Sequence, residues 1–356
     1  MKVLVTGAHF TPALATIEEL KKNYQCEVVY VGRKTTFEGD STPSVESQVL
    51  PKLGVKFISL ITGRLQREFT IFTIPSLLKI PVGFLQASFI LLKEKPDIVL
   101  SFGGYVSVPV VIWVWLFSIP IIIHEQAIIS GLANKIAALF ADKIAISFPE
   151  NHSFNQQKVV LTGNPLRREI IDAQSASGET GGMPRILIAG GNQGSHVINM
   201  AVLDCLDKLT KIAKITHQTG DSKFGDFERL SIKQNENYKV EKFISNGWGK
   251  LVQECDLVVS RAGVNTLSEL AYLGKPVLVI PIAGHREQNT NAKYFENLGL
   301  AKILPQSKLS GDSLFWNIRE MLKNKNKLKI KAGKSKKSII KDGAKKLALE
   351  TILLKS

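Results

Sequence analysis

The chain has 356 residues, 44% of them hydrophobic and 22% charged, with a formal net charge of +15. That length suits two domains, and that balance suits a soluble protein with sizeable cores. Three scattered cysteines, Cys26, Cys205 and Cys255, form no C-x-x-C pair; this argues against a zinc site or a disulfide framework and for a reducing cytoplasm.

In chain order, the start MKVLVTG reads as a strand and lacks the long apolar stretch of a secretory leader. Strand-like runs follow at 2–7, 27–32, 97–102, 120–125 and 143–148, then at 185–191, 213–218, 256–261, 276–281 and 301–305. Continuous apolar strands alternating with helical stretches predict parallel sheets covered on both faces. The segment SASGETGGMP, 175–184, separates two βα series. The expected class is α/β, with two Rossmann-like parallel-sheet domains facing a cleft. Their bounds are 1–163 and 164–339, and a last helix over 340–356 packs back on the first domain. Two apolar regions, 71–92 and 108–123, are interrupted by Pro75, Lys79, Pro81 and Pro120, so neither supplies the roughly 20 clean residues of a membrane span. Phe84, Leu85, Trp113, Trp115 and Phe117 can instead form a patch that dips into a bilayer interface, or simply pack in the core.

Charge concentrates near the end. Residues 323–346 hold eleven lysines and one aspartate. A solvated helix face is one reading; contact with anionic lipid headgroups is another, at about 1 kcal/mol per lysine. No helix-turn-helix, RRM or zinc-finger pattern supports a nucleic-acid partner.

Ligands of open parallel sheets bind beyond the carboxyl ends of the strands. Gly7 to His9, Gly103 to Tyr105 and His124 to Gln126 fall there in the first half. In the second half AGGNQGS, 189–195, places a glycine turn before a helix. Free N–H groups and the positive helix end suit an anion such as a diphosphate, although such turns also serve packing. RAGVNTLSE, 261–269, repeats the arrangement. Glu269 there is either a carboxylate for ribose hydroxyls or a helix-terminus charge. Gln288 and Asn291, three apart on one helix, suit sugar hydroxyls. No histidine or carboxylate pair has metal-ligand spacing.

Read together and in order, HFTPALA (9–15), PDIVLSFGGYVSVP (96–109), IPIIIHEQ (119–126), GLANK (131–135), GNPLR (163–167), GGNQGS (190–195), HQTG (217–220) and the 261–269 run resemble the MurG family of inverting N-acetylglucosaminyltransferases. The resemblance covers nearly the whole chain and implies a two-domain GT-B fold and a peripheral enzyme of peptidoglycan synthesis, at the cytoplasmic face of the membrane. It implies UDP-N-acetylglucosamine as donor, a polyprenyl-pyrophosphoryl-muramyl peptide as acceptor, and neither metal nor cofactor. On the donor side it implies Arg167, Gly191, Asn192, Gln193, Gly194, Ile244 with Phe243, Thr266, Glu269, Gln288 and Asn291. On the acceptor side it implies Gly7, Gly103, Gly104, Tyr105 and Asn134. His9 is the first candidate for general base, with His124 and Glu125 as supports or rivals; a buried His–Glu pair can also simply join two loops. The chain departs from the family in its short TGAH loop, in Ala127 where Asn is usual, and at Asn192, Ala262 and Asn265. Those changes leave open a related transferase for another UDP-sugar or lipid acceptor, or a UDP-sugar epimerase.

Overall fold

The computed structural model describes residues 1–35, 43–63, 73–151, 153–173, 182–191, 194–221, 224–244 and 247–355. The chain divides into two compact units, Met1–Arg167 with Asp342–Ser356, and Arg168–Lys341.

The first unit runs β1 (Lys2–Thr6), α1 (Phe10–Tyr24), β2 (Glu27–Gly32), α2 (Val45–Val49), β3 (Lys56–Ser59) and α3 (Thr73–Glu94). It continues with β4 (Ile98–Ser101), α4 (Ser107–Leu116), β5 (Ile121–Glu125), α5 (Leu132–Phe140), β6 (Lys143–Ile146) and β7 (Val159–Leu161). These strands form one parallel sheet in the order β3-β2-β1-β4-β5-β6-β7. Val3, Val5 and Ile122 pack on one face, and Leu4, Val99, Ile121 and Ile123 on the other. Each such side chain, fully buried, contributes about 1.5–3 kcal/mol of apolar transfer.

The second unit runs α6 (Arg168–Ala173), β8 (Arg185–Ala189), α7 (His196–Leu209), β9 (Lys214–Gln218), α8 (Asp226–Ser231), β10 (Tyr238–Glu241) and α9 (Trp248–Glu254). Then come β11 (Leu257–Ser260), α10 (Val264–Leu273), β12 (Val277–Val279), α11 (Arg286–Asn297), β13 (Ala301–Ile303), α12 (Gly311–Lys323) and α13 (Lys325–Ser335). Its parallel sheet is ordered β10-β9-β8-β11-β12-β13. The final helix, α14 (Gly343–Lys355), belongs to the first unit. Leu347 and Ala348 join the core beneath α1, and Glu350 accepts from Lys143 at 2.7 Å.

All ten expected strands form. Three more, β3, β7 and β10, were not legible as apolar runs because each lies at a sheet edge and is part-exposed. An edge strand needs only one apolar face, if that, and carries charge without penalty. Helix α3 continues through Pro81, so that proline interrupts the apolar stretch without ending the helix. Among the described residues no helix is long and apolar enough to cross a membrane.

Candidate active site

In the first unit the site residues gather at the carboxyl ends of β1, β4 and β5. The loops after β1 and β4 interlock: Ala8 N donates to Gly103 O at 3.0 Å. Gly104 has φ +81°, and a Cβ there would sit 2.5 Å from the Ala8 methyl. Only glycine combines that left-handed backbone with so close an approach. A side chain at Gly103 would run into the Asn134 amide, and one at Gly7 into Phe102.

His9 is the N-cap residue of α1 and makes no capping bond with its side chain. It is part-exposed. Burial, and then the charge of Arg33, push its pKa down to about 4. The imidazole is therefore neutral at physiological pH and able to accept a proton.

His124 is fully buried. Its Nε2 lies 3.2 Å from Ser147 Oγ and 3.4 Å from Gly163 O, while Nδ1 has no partner. Burial takes its pKa down to about 3, a hydrogen bond to Gly163 opposes that, and His9 lowers it further. Phe102 packs against the ring at 5.4 Å between centroids.

Glu125 has a different character. Its carboxylate accepts from Ala127 N at 2.9 Å, Gly131 N at 3.0 Å and Asn134 Nδ2 at 3.0 Å. Three donors across residues 127–134 make it the clasp of the loop after β5. Asn134 also donates to His124 O at 3.2 Å. Buried Thr6 Oγ1, Gln126 Oε1 and Asn134 Oδ1 have no hydrogen-bond partner. Orphaned buried polar atoms are costly in a protein interior and concentrate at functional sites.

In the second unit, the glycine turn after β8 leads into α7. Gly194 has φ +74°, and a side chain there would collide with Thr219 O. Ser195, the N-cap of α7, is buried with its Oγ unpartnered. Gln218 braces the turn: its amide donates to Gly191 O at 3.1 Å, and its carbonyl accepts from Ile244 N at 2.9 Å. Behind it, His217 bridges Tyr238 OH at 2.9 Å and Asn199 Oδ1 at 3.1 Å. Burial takes the His217 pKa down to about 3.

Helix α10 starts beside this turn with Gly263 as N-cap. Thr266 is part-exposed, while Ser268 and Glu269 are buried. The Glu269 carboxylate accepts from Trp248 Nε1 at 3.2 Å. Gln288 accepts from Ile282 N at 3.0 Å. Asn291 is fully buried; its amide donates to Ala262 O at 3.1 Å, and its Oδ1 is unpartnered.

Three comparisons extend this geometry. Residues 5–146 match the glycosyltransferase family 28 N-terminal domain, and residues 185–347 its C-terminal domain. A Clostridium botulinum UDP-N-acetylglucosamine–N-acetylmuramyl-(pentapeptide) pyrophosphoryl-undecaprenol N-acetylglucosamine transferase is 34% identical over 338 residues, which span 91% of this chain and 92% of that one. The chain belongs to glycosyltransferase family 28. Its fold is also that of Acinetobacter baumannii MurG, with TM-score 0.73, 24% identity and 99% of both chains covered. The glycotransferase of kitacinnamycin shares it at TM-score 0.74 and 15% identity, over 99% of this chain and 98% of that one.

Against this family-28 frame, the expected residues sort by unit. His9, His124, Glu125, Gly7, Gly103, Gly104 and Tyr105 stand at the strand ends of the first unit, Asn134 lies in the first turn of α5, and Arg167 is the unit's last residue before the break. Gly191, Gly194, Ile244, Thr266, Glu269, Gln288 and Asn291 stand in the second. Asn192 and Gln193 lie outside the described residues. Gln218, Trp248 and Ser147 brace these groups, and sequence reasoning did not single them out. Gln218 carried a signal, since it sits in HQTG at the end of β9; Trp248 and Ser147 carried none. Among the described residues no cluster of three or more His, Cys, Asp or Glu is arranged to hold a metal ion.

Proposed function

We propose that this family-28 glycosyltransferase transfers N-acetylglucosamine from UDP-N-acetylglucosamine to the 4-hydroxyl of the muramyl sugar in a polyprenyl-pyrophosphoryl-muramyl peptide. The reaction converts lipid I to lipid II. The observation that carries the reading is the full-length match to a transferase whose name states that donor and acceptor.

The hydroxyl oxygen attacks the anomeric carbon in line, the bond from that carbon to the diphosphate breaks, and UDP leaves with inversion. His9 accepts the hydroxyl proton. Its neutral state supports this role, and a pKa of about 4 makes it a modest base until substrate binds. Glu125, with three N–H groups on its carboxylate, positions the loop beside His124. Gly7, Gly103, Gly104, Tyr105 and Asn134 line the acceptor subsite.

On the donor side the N-termini of α7 and α10, with Gly191, Gly194 and Thr266, take the diphosphate charge as it builds. This leaves no step that requires a divalent cation. Glu269 holds the ribose, Ile244 and Phe243 flank the uracil, and Gln288 faces the sugar. Asn291 shapes that subsite from beneath, through Ala262. Arg167, Asn192 and Gln193 complete the donor set.

The enzyme works at the cytoplasmic face as a peripheral protein. Helix α3 exposes Leu78, Val82, Leu85, Phe89 and Leu92, and Trp115 and Phe117 are exposed near the end of α4. The α3 spacing of three and four places its residues on one helix face. Trp113 is different: it packs against the core.

A second reading, a related transferase with another UDP-sugar, is favoured by the small, buried Ala127, which leaves no amide for the donor sugar. The test is product structure by NMR. A β-linked N-acetylglucosamine on the 4-oxygen of the muramyl residue is expected. An α linkage, or a free epimerised sugar nucleotide formed without lipid, would overturn the reading.

A further inference from the structure

The lysine-rich segment near the end of the chain has no part in the site above. Residues 323–341 hold nine lysines and no acidic residue. They span the end of α12, all of α13 and the turn after it, within the second unit. So many like charges on neighbouring turns repel one another. The packing of α13 decides which of them serve the fold and which are left over.

Helix α13 turns Leu328, Ala332 and Ser335 inward. Leu328 packs against the core of the second unit, and Ala332 and Ser335 are buried. Two lysines flank that inner face and are used by the fold. Lys325 pairs with Asp256 at 3.5 Å. Lys336 lays its stem over Gly274, the left-handed C-cap of α10, where a Cβ would lie 2.6 Å from the lysine Cε. The opposite face is different. Lys327, Ile330, Lys331 and Lys334, spaced by three and four, share it. All four are exposed, Ile330 at 68%. Among the described residues, Lys327, Lys331 and Lys334 have no hydrogen-bond or ion-pair partner. On α12, Lys323 and Trp316 are seven apart, and both are exposed.

An unpaired row of like charge weakens the folded chain, and an anionic surface relieves it. The row lies along the outside of a helix, which suits an extended surface. It holds no arginine and no aromatic residue, the groups that read base edges and stack on bases. Among its lysines stands an isoleucine, which can bury in the acyl boundary of a bilayer while the lysines meet the headgroups. We propose that the exposed face of α13 binds the anionic headgroups of a lipid bilayer. The contact is separate from the apolar face of α3 in the first unit and obeys different physics. It is electrostatic, so it selects acidic lipid and weakens with salt. The choice of a bilayer over other polyanions rests also on the lipid-linked acceptor proposed above.

The test is sedimentation of the whole chain with phosphatidylcholine vesicles, with and without phosphatidylglycerol. The parent is expected to bind the acidic vesicles more tightly and to lose that preference in high salt. Lys327→Gln/Lys331→Gln/Lys334→Gln is expected to weaken binding to acidic vesicles on the order of tenfold to a hundredfold, at about fivefold per lysine. Its binding to phosphatidylcholine alone should not change. Replacing the same three lysines by arginine should keep the acidic preference. A control, Lys22→Gln/Lys52→Gln/Lys233→Gln, removes the same charge from exposed sites elsewhere, and its loss should stay below about twofold. Each variant should melt at or above the parent's temperature and transfer sugar to a short-chain soluble acceptor at the parent's rate. Equal losses in the two glutamine triples, a parent indifferent to phosphatidylglycerol, an α13 triple that melts well below the parent, or tighter binding to duplex DNA than to acidic vesicles at the same salt would each overturn the proposal. A parent that binds acidic vesicles as described but transfers to no lipid-linked acceptor overturns the functional reading alone.

Discussion

The two units share one frame and spend it differently. Each sheet places its first strand at the middle, with the next two strands to one side and the later ones to the other: β3-β2-β1-β4-β5-β6-β7 and β10-β9-β8-β11-β12-β13. Each opens its functional loops at the switch point, between β1 and β4 or between β8 and β11. The crossovers after the third strand then diverge. In the first unit it is the 22-residue α3, with an apolar exposed face. In the second it is the seven-residue α9, whose Trp248 turns inward to Glu269. The strand ends diverge as well. The first unit carries a neutral histidine and a clasped loop; the second carries a braced glycine turn and the uncapped starts of α7 and α10. Topology fixes where ligands go, and the loops decide which chemistry meets them.

That division can be broken or sharpened by experiment. The largest expected effect lies in the first unit. His9→Ala should lower turnover about 10²–10⁴-fold, with the UDP-sugar Kd from calorimetry unmoved. A weakened Kd would show that the units do not separate their tasks as drawn. Next comes the second unit. Glu269→Ala should weaken UDP binding by about 1–3 kcal/mol, the usual loss for a hydrogen bond to a charged group. Trp248→Phe removes one N–H and keeps most of the ring, so its loss should be smaller, about 0.5–1.5 kcal/mol. A Trp248 variant that binds UDP like the parent would remove the indole from the ribose subsite.

A separate effect, on stability, is common to both units, because each buries one neutral histidine. His124 and His217 both have pKa values near 3 in the folded protein, against about 6.5 when unfolded. Below pH 6.5 the unfolded chain takes up protons that the folded chain refuses. Stability is therefore full above that pH and is lost as pH falls toward 3. The melting temperature should decline steadily from pH 7 to pH 5. A flat profile over that range would mean that these histidines protonate without unfolding.

Much of this was legible in the sequence, for definite reasons. The central strands show because burial on both faces demands unbroken apolar runs such as RILIA and PIII. The edge strands β3, β7 and β10 lack that demand and so lack that pattern. Glycines at 103, 104 and 194 announced close approaches because no other residue fits there. The Glu125 clasp showed only as an alternative to a catalytic role. A carboxylate after a core strand looks the same in sequence whether it faces substrate or three backbone and amide N–H groups. Trp248 and Glu269 are 21 residues apart, and no local spacing ties an indole to a carboxylate over that distance.

The most direct measurement is product formation from a panel of UDP-sugars, with and without a polyprenyl-pyrophosphoryl-muramyl peptide, in the presence of a metal chelator. The account predicts transfer of N-acetylglucosamine that requires the lipid and is indifferent to the chelator. Transfer of a different sugar, transfer abolished by the chelator, or turnover of UDP-N-acetylglucosamine without lipid would contradict it.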